Sequence, residues 1–204
     1  MKLKPSKIVC VGLNYQDHAR ELKMEIPTHP ILFLKPPSSV VFHGGSIIYP
    51  PQTRELHYEA ELAVIIKDRT KNIAEAEAPA HILGYTCAND VTARDLQKID
   101  GQWTRSKSFD TFCALGPNIV SGINPYNLDI KLYLNREIKQ SSNTLNMIFR
   151  VGYLVAFISQ IMTLEAEDVI LTGTPPGVGP MKVGDIVEVE IEDIGKLSNQ
   201  VVAG

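Results

Sequence analysis

His57-Tyr58-Glu59-Ala60-Glu61-Leu62-Ala63-Val64-Ile65-Ile66 begins as an alternation of polar and apolar residues and ends as an unbroken apolar run. That pattern is a strand running into a core that covers both of its faces. Short runs of the same kind flank it at residues 8–11, 31–34, 46–49 and 82–88. Further along, residues 130–134 pair with Glu137-Ile138 as a hairpin through Asn135-Arg136, and strands follow at 168–171, 185–191 and near Val201. Helical signals are fewer. Residues 74–80 form a short piece, Asn14 caps a short helix with Asp17 three residues on, and Thr92-Ala93-Arg94-Asp95 opens another as a capping box. Residues 147–162 carry apolar side chains at helical spacing and predict one long helix. Many short strands with few helices predict a β-rich α+β fold, and 204 residues suit a single domain over 1–204.

Composition narrows the function classes. A net charge of −3 with scattered Lys and Arg gives no surface for nucleic acid. No segment has the length of a membrane span, and the apolar run after the first lysines is too short for a signal peptide. Cys10, Cys87 and Cys113 sit among apolar neighbours and read as reduced, packed thiols of a cytoplasmic protein.

On a strand, Glu59 and Glu61 point to the same side, about 7 Å apart. Because the chain enters the core immediately afterwards, the two carboxylates repel by roughly 3 kcal/mol at 5 Å and an effective dielectric near 20. A cation removes that cost. Asp90 adds a third carboxylate at the end of an apolar strand, and three hard oxygen donors suit Mg²⁺ or Mn²⁺. Glu-x-Glu alone is more often a solvated strand face. His18 and Glu21 share a helical face, which suits a general base as well as an exposed ion pair, and no further His or Cys follows at zinc spacing. His29, His43 and His81 have no such carboxylate partner and read as surface or packing residues. Arg94 and Gln97 fall on one helical face near Asp90, and Lys107 lies in the polar loop 104–108. Beside a cation these groups would bind an anion and stabilise an enolate; alone, each is ordinarily a solvated side chain. The loop from Thr172 to Pro180 matches no nucleotide-binding pattern. Its N–H groups and the Thr174 hydroxyl could cradle a carboxylate, or it is a tight connection between strands.

Taken together, Gly12-Leu13-Asn14-Tyr15 with His18 and Glu21, Phe33-Leu34-Lys35-Pro36, His57 to Leu62, Asn89-Asp90-Val91-Thr92-Ala93-Arg94-Asp95, Lys107-Ser108-Phe109, Met147-Ile148-Phe149 and Leu171-Thr172-Gly173-Thr174-Pro175 resemble the fumarylacetoacetate hydrolase family over nearly the whole chain. The resemblance implies a β-roll of stacked sheets, a homodimer, and a Mg²⁺- or Mn²⁺-dependent enzyme acting on small 2-oxo acids. By position it implies Glu59, Glu61 and Asp90 as metal ligands. His18 and Glu21 match the water-activating dyad of the short acylpyruvate-cleaving and oxaloacetate-decarboxylating members, where the dyad's helix is a lid over substrate. Arg94, Gln97 and Thr174 match substrate contacts, and Lys107 matches the group that stabilises developing charge. Two departures stand out: Leu13 where many short members carry Arg, and Thr144-Leu145-Asn146 where a small hydroxyl residue is usual. The expected chemistry is acylpyruvate hydrolysis, oxaloacetate decarboxylation or tautomerisation through a metal-stabilised enolate. The competing readings are a hydratase or isomerase of unsaturated 2-oxo diacids and a non-catalytic binding protein.

Overall fold

A computed structural model describes residues 3–21 and 25–204; the side chains of His18 and Ala19 lie outside the described residues. The strands are β1 (Ile8–Gly12), β2 (Ile31–Lys35), β3 (Val40–Phe42), β4 (Ser46–Tyr49), β5 (Leu56–Tyr58), β6 (Ala60–Ile66), β7 (Ile82–Asp90) and β8 (Thr92–Ala93). They continue as β9 (Cys113–Val120), β10 (Asp129–Leu134), β11 (Glu137–Asn143), β12 (Val169–Leu171), β13 (Gly179–Pro180), β14 (Ile186–Ile191) and β15 (Gly195–Ala203). The α-helices are α1 (Gln16–Glu21), α2 (Arg94–Asp100), α3 (Thr104–Lys107) and α4 (Val151–Ile161). This is the β-rich α+β architecture that the short apolar runs predict.

Seven strands form one mixed sheet in the order β2-β1-β12-β6-β7-β9-β3, and five form a second in the order β11-β10-β14-β15-β4. β6 is buried along its whole length, and its two faces serve different interiors. Ala60, Leu62, Val64 and Ile66 join the large core shared with Ile130, Leu132, Val187 and Val189 of the second sheet and with Val151, Leu154, Val155 and Ile158 of α4. Ala63 and Ile65 face a smaller cluster with Ile8, Cys10, Ala88, Cys113, Leu115, Val169 and Leu171. All of these come from strands of the seven-stranded sheet itself. A sheet face that is fully buried against its own strands has to curl around them, and Cys10, Ala63, Ala88 and Cys113 are small enough to fill that narrow interior. The three thiols are free and buried, and burial pushes the Cys87 and Cys113 thiols up to about 12.

Four local expectations are corrected by tertiary contacts. The long helix starts at Val151, not Met147, because Met147 is extended and bridges Tyr15, and residues 148 and 149 bend, with Ile148 N–H donating to the Asn14 carbonyl. Asn14 is not a helix cap. Its side chain accepts from Phe149 N–H (2.7 Å) and donates to the carbonyls of Phe149 (3.0 Å) and Thr172 (2.7 Å). The capping box at Thr92 is absent as well, since Thr92 Oγ1 donates to the Asp90 carbonyl and Asp95 accepts from Thr53 and the Arg54 N–H. His81 does have a carboxylate partner, Asp68, at 2.6 Å. The Asn135-Arg136 hairpin forms as expected, with both residues at positive φ (51° and 72°), as a two-residue turn of matching twist requires.

Candidate metal centre

The register of β6 and β7 converts a sequence separation of about thirty residues into contact. Ala60 pairs with Asn89, Glu61 with Ala88, and the Asp90 N–H donates to the Glu59 carbonyl (2.9 Å). With a side-chain period of two, Glu59, Glu61 and Asp90 emerge on one face, at the end of the curled interior. One carboxylate oxygen of each lies within 4.8 Å of the others, and all three residues are buried.

Cations surround this group. Lys107 Nζ donates to Glu59 (2.8 Å) and Asp90 (2.6 Å), Lys35 Nζ to Asp90 and the Val91 carbonyl (3.1 Å), and Arg94 to Glu59. Lys107 is therefore not a solvated loop residue. It ends α3 at 2 % exposure, with its ammonium 5.2 Å from the Phe33 ring centroid. Lys35, read from sequence only as the end of a strand, is buried at 1 %. Nothing local distinguishes a lysine at a strand end from a solvated one, so only its motif pointed to it.

Three acids face three bases, yet the balance is uneven. Burial opposes the charge of Glu59, but Lys107 and Arg94 outweigh it and hold the carboxyl below the usual range. Burial likewise opposes the charge of Lys107, while Asp90 and Glu59 raise it to about 12. Glu61 has no ion-pair partner among the described residues and accepts from the Gly173 N–H at 2.6 Å. Burial first, then the charges of Asp90 and Glu59, push its carboxyl upward. A buried carboxylate lacking a cation, beside two others at ligand spacing, fits a hard divalent ion.

The loop 172–180 thus uses two of its N–H groups on the chain's own carboxylates. Gly173 serves Glu61, and Gly177 donates to both Glu21 oxygens at 3.3 Å, which ties α1 to the loop. Gly173 has φ +97°, and a Cβ there would lie 2.7 Å from Asn14 Cβ, so this turn requires glycine. Thr174 is buried and accepts from Gln140 Nε2 (2.9 Å). Gln140, which sequence reading missed, also accepts from the Ala60 N–H (2.9 Å) and thereby joins the loop to β6. Arg94 donates to Gln97 at 2.6 Å. His57, beside this group, is pushed down to about 4 by burial and by Arg94.

A cavity of about 260 Å³ opens on these groups. Glu59, Glu61, Asp90 and Lys107 line it together with Arg94, Gln97, Lys98 and Thr174, and Val11, Leu13, Phe33 and Trp103 form its apolar wall. Seven of the nine expected site residues meet here; Glu21 reaches the adjoining loop, and the His18 side chain lies outside the described residues.

A family model described as fumarylacetoacetate (FAA) hydrolase, C-terminal, matches residues 7–202. The chain belongs to the fumarylacetoacetate hydrolase family. Within the family it is 59% identical over 200 residues to an uncharacterized protein of Methanocaldococcus jannaschii, covering 98% of this chain and 84% of that one. It is 46% identical over 210 residues to the mitochondrial oxaloacetate tautomerase Fahd2a of Rattus norvegicus, covering 98% and 67%. A solved structure of 2-hydroxyhepta-2,4-diene-1,7-dioate isomerase from Mycobacterium marinum superposes with a TM-score of 0.92 at 46% identity, covering 98% and 76%. The relatives with a named activity are enzymes.

Proposed function

We propose that this chain is an enzyme that takes small 2-oxo acids through an enolate, with keto–enol interconversion of oxaloacetate as the reaction best supported. The observation that carries this reading is the trio of buried carboxylates around Lys107 on a small cavity lined by Arg94. Identity of 46% to a relative named oxaloacetate tautomerase supports it.

Glu59, Glu61 and Asp90 would hold Mg²⁺ or Mn²⁺, and such an ion supplies a Lewis acid for the 2-oxo carbonyl. Lys107, kept charged by its two carboxylates, stands where negative charge develops on the enolate oxygen. Arg94, steadied by Gln97, offers a guanidinium to a substrate carboxylate. Thr174 receives the Gln140 N–H, which leaves its own hydroxyl proton for substrate. The proton from the carbon beside the keto group would go to His18, which the resemblance pairs with Glu21, and the imidazolium so formed or solvent would return a proton to the enolate oxygen. With an acylpyruvate, such as a fumarylpyruvate-like acid, the same base takes the proton of an attacking water and the C–C bond breaks to the enolate of pyruvate. Decarboxylation of oxaloacetate reaches that enolate without a base. The proposal includes the homodimer that the resemblance implies, testable by light scattering as twice the 22.6 kDa chain mass.

The test follows loss of the oxaloacetate enol absorbance with Mg²⁺ or Mn²⁺, with EDTA, and in Glu59→Ala and Asp90→Ala. Turnover is expected to require the ion and both carboxylates; full activity after EDTA would refute the reading. The solved isomerase structure favours a second reading, isomerisation of unsaturated 2-oxo diacids. His18→Ala separates the routes, since loss of tautomerisation and hydrolysis with retained decarboxylation assigns the base.

A further inference from the structure

Trp103 is the only tryptophan of the chain, and it stands in the cavity wall. The edge of its ring rests on Gly12, the last residue of β1: a Cβ at position 12 would lie 2.8 Å from Cζ3 and 2.9 Å from Cη2. No other side chain at position 12 coexists with the indole in this place, because carbon atoms do not approach so closely. Phe33 braces the same ring edge-on, with centroids 5.1 Å apart and planes at 76°. Phe33 also faces the Lys107 ammonium, so the indole is built into the same wall as the charged centre. The cavity it borders, about 260 Å³, falls below the roughly 300–1,000 Å³ of sites that enclose drug-sized ligands.

We infer that Trp103, clamped between Gly12 and Phe33, is a specificity-determining residue that makes the site prefer 2-oxo acids about the size of oxaloacetate over those with longer acyl tails. The inference rests on the proposed function and names the size class of its substrate. An apolar wall discriminates by roughly 10–200-fold per methylene that it cannot accommodate. Removing the indole therefore releases tail length and leaves the carboxylates and Lys107 in place.

The test compares kcat/KM for oxaloacetate with that for acylpyruvates of increasing tail length in the parent, Trp103→Ala and Trp103→Phe. The long-to-short ratio is expected to rise at least about tenfold in W103A and less in W103F. In parallel, oxalate with Mg²⁺ is titrated into the parent, whose emission reports position 103 alone; the emission is expected to change on saturation. Gly12→Ala is expected to shift that emission without ligand and to raise KM for oxaloacetate. Should W103A not fold, W103F and G12A decide the matter. An unchanged ratio in a variant that melts like the parent and turns over oxaloacetate overturns this inference and leaves the proposed function standing. A parent that neither binds oxalate nor converts any 2-oxo acid overturns both.

Discussion

Lys107 joins Glu59 to Asp90 with two short hydrogen bonds inside the curled sheet. Like-charged carboxylate oxygens within 4.8 Å of one another repel by about 3.5 kcal/mol or more at an effective dielectric near 20, and the ammonium removes that repulsion for one pair. It therefore competes with any divalent ion for the same oxygens. Lys107→Met is expected to bind Mg²⁺ more tightly by calorimetry while kcat falls by about 10²–10³ through loss of a donor to the enolate. Weaker metal binding in that variant would show that the lysine supports the ion instead of opposing it. Lys35 differs in kind, because it is sealed behind Asp90 and its loss leaves a buried carboxylate short of a partner.

The elements around the centre are held by side chains that bond backbone. Asn14 gathers the end of β1, the lead-in to α4 and the loop 172–180, and Gln140 gathers β6 and the same loop. Asp168 performs the equivalent task at the start of β12. It is buried and accepts from Ser6 N–H and Oγ (2.8 Å each), Lys7 N–H (3.1 Å), Glu165 N–H (2.8 Å) and the Lys7 ammonium. Burial works against its charge, but these donors outweigh it and hold its carboxyl below the ordinary value. A depressed folded value means that the unfolded chain binds more protons at acid pH. The contribution is thus complete above the unfolded value of about 3.9 and is lost as pH falls through the folded one. Asp168→Asn is expected to flatten the acid limb of the stability–pH curve, measured by urea unfolding from pH 6 downward, and to cost about 3 kcal/mol at neutral pH. Parallel acid limbs in the two proteins would contradict the assignment.

At the scale of the molecule, the curled sheet places three acids at the edge of its own interior, where folding is opposed by their mutual repulsion. A ligand that binds only this folded arrangement adds its binding energy to stability. Saturating Mg²⁺ or Mn²⁺, at about 100 times Kd, is expected to stabilise the protein by about 2.7 kcal/mol, seen as a rise in Tm that EDTA reverses. Glu61→Gln is expected to abolish most of that rise, because Glu61 is the carboxylate without a cation partner among the described residues. A Tm unmoved by metal would remove the support for an ion at this centre. Among the described residues no helix is long and apolar enough to cross a membrane.

The amino-acid sequence by itself determined the β-rich class, the buried strand that opens at Glu59-x-Glu61, the Asn135-Arg136 turn and the family. Each of these depends on local periodicity, turn chemistry or motif order, which a linear reading captures. Tertiary structure alone decided that Asn14 ties loops together instead of capping α1, that Met147 is extended against Tyr15 instead of opening α4, and that Lys35 and Lys107 are buried against the acids. The physical reason is the same in each case. A buried polar group bonds whichever partner the strand register brings to it, and the register of β6 on β7 is set by packing across the whole sheet rather than by neighbours in the chain.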